Sequence, residues 1–304
     1  RSSDLAPAIT EILKEIDRLC KDLVPEQELA LQRAAVDVEA HGLREVTLGD
    51  GGDRATGNQG RRGGYHNWLP DSRHVVFSKD ERGDENTQLR VFDAQSPDLQ
   101  LWQVTPARGV RAFVVARGAP GSARFFFASN ERDRSTFDLY EADAATRQVT
   151  EVARSDGHVL YWLVGTDARL AGRIRQLGTA DGSDAVLELR EASGGWRVLK
   201  TWGGFDHVNV LRVDPALGKL WALSNLGRDK AALVDIDMAS GAERVLAEHA
   251  VVDVASASFA SVSGPPVGYV VEPDHPQMHF FDGAWKAQMD AVVARAVAQG
   301  HHHV

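Results

Sequence analysis

The chain has 304 residues, 43% hydrophobic and 25% charged, the balance of a globular protein with material for a sizeable core. A formal net charge of −9 argues against the basic face that nucleic-acid binding requires, so no nucleic-acid partner is expected. A single cysteine, Cys20, excludes an internal disulfide, and no apolar run is long enough to span a bilayer, so no membrane partner is expected either.

Taken from the start, residues 1–31 read as a helical segment. Leu5, Ile9, Ile12, Leu13, Ile16, Leu19 and Leu23 fall on one helical face, with Ser3 or Asp4 as N-cap and Pro25 as the stop. Residues 32–283 then carry a repeat. Ala34-Ala-Val-Asp37 and Leu43-Arg-Glu-Val-Thr47 read as the last two strands of a partial first unit. Leu89-Arg-Val-Phe-Asp93, Leu139-Tyr-Glu-Ala-Asp143, Leu233-Val-Asp-Ile-Asp237 and Met278-His-Phe-Phe-Asp282 are short strands that each end on Asp, while Leu187-Glu-Leu-Arg190 keeps the strand without it. The period is roughly 45–50 residues, in the range of four-stranded propeller blades.

The rest of each unit agrees. An apolar strand precedes the repeat strand, as in His74-Val-Val-Phe77, Arg124-Phe-Phe-Phe127 and Lys219-Leu-Trp-Ala222. A polar turn joins the two, as at Asp80–Asn86, where Gly83 takes the positive-φ position. Residues 284–304 close the chain as a helix or linker, with Trp285, Met289, Val292, Val293 and Ala296 at helical spacing. The expected fold is therefore all-β, a β-propeller of about five fuller four-stranded blades plus a partial N-terminal one, flanked by helices. A blade short of two strands leaves an unpaired edge, which a helix must cap or at which the chain self-associates.

Trp68-Leu-Pro-Asp-Ser-Arg-His-Val-Val-Phe77, Val104-Thr-Pro106, Asn130-Glu-Arg-Asp133, Phe137-Asp-Leu-Tyr140 and Ser224-Asn-Leu-Gly-Arg-Asp229 follow one another in an order that resembles a known family. The resemblance is to the N-terminal propeller of prolyl oligopeptidase-family serine peptidases, in the acylaminoacyl-peptidase and dipeptidyl-peptidase branch, and covers roughly residues 43 to 290. It implies a propeller that gates peptide access to an α/β-hydrolase domain and contacts it, in cis or in trans, and a peptide as substrate. It also implies seven or eight blades and a hydrolase domain after the last one, and this sequence departs from both expectations.

Acyl-transfer chemistry on such folds needs a Gly-x-Ser-x-Gly turn, and the sequence contains none. Ala192-Ser-Gly-Gly195 and Ser261-Val-Ser-Gly264 lack the leading glycine and read as hairpin turns; His158 and His207 have no elbow to serve. No catalytic residue is assigned, and the chain is expected to be inactive alone. Asp274, His275 and His279 sit among prolines that forbid a helical metal pair, and Asp80–Asn86 lacks the spacing of a calcium loop, so no metal or other cofactor is expected.

The candidate binding residues are Tyr65, Asn67, Arg111, Tyr161, His207 and Asn209, which fall on the expected inner strands facing a tunnel or a neighbouring domain. Two other readings stay open: a stand-alone TolB-like scaffold that binds a protein partner, and a metal-dependent lactonase-like propeller drawing on Asn67, Asn209 and Asp253. A reducing, cytoplasmic location fits the lone cysteine; because Arg1 opens the chain, a periplasmic or secreted one is also open. The terminal His301, His302 and His303 read as a tail rather than a metal site.

Overall fold

In the computed structural model the described residues are 66–79, 86–96, 101–106, 109–178, 184–204 and 206–298. The N-terminal helical segment, the strand pair at Ala34–Asp37 and Leu43–Thr47, Tyr65 and Gly83 lie outside them. So does the expected self-association edge of the partial first unit.

The chain divides into two compact units, one up to Ser155 and one from Asp156. In the first, β1 (His66–Trp68), β2 (His74–Lys79), β3 (Gln88–Asp93) and β4 (Leu101–Gln103) form one antiparallel sheet in chain order. A second sheet follows from β5 (Ala112–Arg117), β6 (Arg124–Ser129), β7 (Asp138–Asp143) and β8 (Gln148–Ala153). Leu69, Val76, Leu89 and Val91 of the first sheet share one buried cluster with Phe125, Phe127 and Ala142 of the second, so the two sheets pack face to face.

The second unit repeats the plan. Its first sheet holds β9 (Val159–Val164), β10 (Leu170–Gln176), β11 (Ala185–Arg190) and β12 (Trp196–Trp202). The next holds β13 (Val208–Asp214), β14 (Lys219–Ser224), β15 (Ala232–Asp237) and β16 (Glu243–Ala247). A last sheet has three strands, β17 (Val254–Ser258), β18 (Gly268–Val271) and β19 (Gln277–Phe280), before helix α1 (Gly283–Ala298). Ile174, Leu187 and Leu189 pack against Leu220, Val234 and Ile236 in one cluster, and Leu223 and Leu233 against Val254 and Val271 in another. The fold is all-β and of the propeller class, as the repeat requires: antiparallel meander blades that, within each unit, stack through their faces.

Stacking explains the residue pattern. Strand β6, Arg-Phe-Phe-Phe-Ala-Ser, is buried from Phe125 onward, with Phe125 and Phe127 packed on the first sheet, and apolar residues run on without alternation. The outer strand β8, Gln-Val-Thr-Glu-Val-Ala, is exposed along almost its whole length and can be polar.

The repeating Asp has a structural job. Asp93 accepts the Gln95 N–H at 2.9 Å and a two-pronged hydrogen bond from Arg73, at 3.0 and 2.6 Å. Asp143 accepts the Ala145 and Thr146 amides and the Arg124 Nε–H at 3.1 Å. Asp237 accepts the Ala239 and Ser240 amides and lies 3.5 Å from the Lys219 ammonium. In each case a carboxylate closes the turn after the third strand and neutralises the base that opens the second. Asp282 does something different. Its Oδ1 accepts the Ala284 N–H at 2.8 Å and caps α1, so the chain leaves the sheet as a helix and the last blade has three strands among the described residues.

Candidate functional site

The sequence-derived binding candidates among the described residues fall in or just before the first strands of four blades. Asn67 is the middle residue of β1, opposite Val76 and half-buried. Arg111 is the exposed residue just before β5, and its backbone is fixed by a side chain: Asn130 Oδ1 accepts the Arg111 N–H at 2.7 Å, and the Asn130 N–H returns to the Arg111 carbonyl at 3.1 Å. His207 is held in the same way before β13, with Asn225 Oδ1 accepting its N–H at 2.7 Å. Asn130 and Asn225 each follow the second strand of their blade, so one repeating asparagine sets the entry of two first strands. Asn209 is exposed in β13 opposite Leu223.

Tyr161 lies in β9 opposite Ile174 and is 63% exposed, an unusual position for a tyrosine in an otherwise well-packed blade. Strand β9 runs beside β13, so Tyr161 and Asn209 lie on neighbouring strands of the second unit. Two further exposed apolar residues belong to the same first strands: Phe113, whose ring centroid is 5.3 Å from that of Phe137, and Leu160. Sequence reasoning passed over both. Phe113 was findable, since period-two alternation puts it on the same face as Arg111.

The remaining sequence candidates are turn and strand residues. Ser193 lies in the β11–β12 hairpin, where its Oγ accepts the Gly195 N–H at 3.4 Å. Ser261 and Ser263 bond to each other, side chain to carbonyl, between β17 and β18. His279 is a residue of β19, stacked on Tyr269 with centroids 5.0 Å apart, whereas His275 lies in the preceding turn. Asp253 is committed to the backbone, accepting the Ala231 N–H at 2.7 Å. Among the described residues no three His, Cys, Asp or Glu side chains gather closely enough to hold a metal ion. Among them, too, no helix is long and apolar enough to cross a membrane.

Two of the perturbed carboxylates serve the turns. Hydrogen bonds from Arg73 hold the Asp93 carboxyl below the ordinary carboxylate range, against a smaller opposing effect of burial. The Ser240 amide and hydroxyl do the same for Asp237. Neither carboxylate belongs to a first strand.

No protein-family model matches the chain. Over 244 residues it is 26% identical to the dipeptidyl aminopeptidase BIII of Pseudoxanthomonas mexicana, a match covering 78% of this chain and 34% of that protein. The resemblance read from the sequence is borne out. The chain is similar to the propeller of prolyl oligopeptidase-family peptidases and spans about a third of the length of the curated relative it matches. Solved structures give distant overlaps. A puromycin-hydrolyzing peptidase of Mycobacterium tuberculosis superposes with a TM-score of 0.42 at 14% identity, covering 60% of this chain and 28% of that one. Oligopeptidase B from Leishmania major gives 0.41 at 11%, covering 60% and 26%. Overlaps this distant bear on neither substrate nor chemistry.

Proposed function

We propose that this chain is the non-catalytic propeller portion of a serine peptidase acting on peptides, and that its first strands meet the peptide or the hydrolase domain that cuts it. The observation that carries this reading is the partial match itself. Most of the chain aligns with a dipeptidyl aminopeptidase while accounting for a third of that protein, the described residues form blades and one helix, and the sequence has no nucleophile elbow. The exposed side chains of Arg111, Phe113, Tyr161 and Asn209 supply what peptide recognition uses: a cation for carboxylates, aromatic faces, and an amide that both donates and accepts.

The test uses the full gene product that carries this sequence. Tyr161→Ala and Arg111→Ala are expected to raise KM for peptides several-fold, on the order of 1 kcal/mol of uniform binding, with kcat for the shortest substrate unchanged. A KM and a peptide-length profile indistinguishable from the parent for both variants would remove these strands from recognition.

A further inference from the structure

The segment that leads from β8 to β9, Arg154–His158, is held by two separate sets of ion-paired side chains. On its near side Ser155 is buried although it lies beyond the end of β8. Its N–H donates to Asp138 Oδ1 at 2.7 Å, and its carbonyl accepts from Arg132 Nη2 at 3.2 Å. Arg132 in turn grips Asp138 with both prongs, Nε to Oδ2 at 2.5 Å and Nη2 to Oδ1 at 2.9 Å, and Asp138 is only 1% exposed. Burial alone would raise the Asp138 carboxyl, but the Arg132 hydrogen bonds, the Ser155 amide and the neighbouring charges outweigh it and hold it below the ordinary value. On the far side Asp156 accepts the His158 N–H at 3.2 Å and lies 2.7 Å from Arg175 Nη2. Between the two, Gly157 takes a φ of 94°.

Among the described residues, the crossing after β4 is held by Thr105, whose Oγ1 accepts the Leu89 N–H and whose carbonyl accepts from Gln103 Nε2, and the one before β17 by Asp253, which accepts the Ala231 N–H. A carboxylate as buried as Asp138, with a guanidinium on both of its oxygens, is costly to leave half-satisfied.

We propose that this crossing is a clamped joint, in which Arg132 and Arg175 set how readily Arg154–His158 opens, independently of unfolding of the sheets. Local opening of this kind is read by protease access and amide exchange. Trypsin supplies the probe, because Arg154 is an exposed cleavage site inside the segment, while Arg117 and Arg169 are exposed sites outside it.

In the Arg132→Gln variant, cleavage after Arg154 is expected to quicken by about ten-fold or more, with cleavage after Arg117 and Arg169 unchanged. Adding Asp138→Asn should bring the rate part-way back, since the unpaired buried charge is then gone. Unchanged cleavage after Arg154, or equal acceleration at all three sites, would overturn the proposal. The unmodified chain gives a second test that needs no variant. The Ser155 amide should exchange at least about ten-fold more slowly than the amide of Asp167, in the exposed β9–β10 turn. Equal exchange at the two positions would likewise overturn the clamp.

Discussion

Glycines with a positive φ look alike in the chain, yet their surroundings divide them. Gly218 and Gly241 both close hairpins, with φ of 62° and 74°. A Cβ at Gly218 would meet nothing within 4 Å, whereas one at Gly241 would sit 2.6 Å from the Leu199 carbonyl of the neighbouring blade. That approach is locked by Arg197, whose guanidinium donates to the carbonyls of Met238 at 2.6 Å and Ala239 at 3.3 Å. Gly218→Ala is therefore expected to cost only the left-handed backbone strain, about 1 kcal/mol. Gly241→Ala should cost roughly 2–4 kcal/mol, because the blade-to-blade contact must also move. Thermal or urea unfolding of the two variants measures the difference; equal losses would mean that the Leu199 contact has no weight. Positions equivalent to Gly218 hold Ser72 and Ala168, both at φ 55°, so the turn geometry is kept even where glycine is not.

At the level of elements, the repeat was legible because each blade uses the same physical solution. A continuous apolar second strand, a polar turn and an Asp-terminated third strand recur wherever a sheet is sandwiched and its next turn needs a carboxylate. What the sequence could not separate was the fate of the chain after that Asp. Asp237 and Asp282 end equally convincing strands, but the first is followed by Met-Ala-Ser-Gly, which turns, and the second by Gly-Ala-Trp-Lys, which goes on as a helix. The distinction depends on the residues after the cap, not on the cap.

Asp282→Ala is expected to lower the helicity of α1 and the stability of the last blade by about 1 kcal/mol, the usual worth of an N-cap. Circular dichroism and amide exchange over Gly283–Ala298 check this, and an unchanged helix would show that Lys286–Asp290 pairing and packing on β19 suffice. The candidate strands were legible for a simpler reason. Arg111, Tyr161, His207 and Asn209 stood out as polar or amphipathic residues in the strands that open each blade. The asparagines that hold Arg111 and His207, Asn130 and Asn225, look in sequence like ordinary turn residues. Their bonds run 19 and 18 residues back along the chain, a relation that no local pattern carries.

For the molecule as a whole, the described residues build a scaffold of antiparallel blades. The carboxylates of Asp93, Asp138, Asp143 and Asp237, each held below its ordinary range, serve turns and a crossing. Tyr161 and Asn209 are exposed on neighbouring first strands of the second unit. The chain aligns over 78% of its length with a dipeptidyl aminopeptidase and spans about a third of that protein.

The most direct measurement is to incubate the purified chain with a serine-directed fluorophosphonate and, in parallel, with a dipeptidyl anilide. No covalent label by intact mass and no hydrolysis above buffer are expected. A stoichiometric label on one serine, with anilide hydrolysis lost on labelling, would contradict the non-catalytic reading.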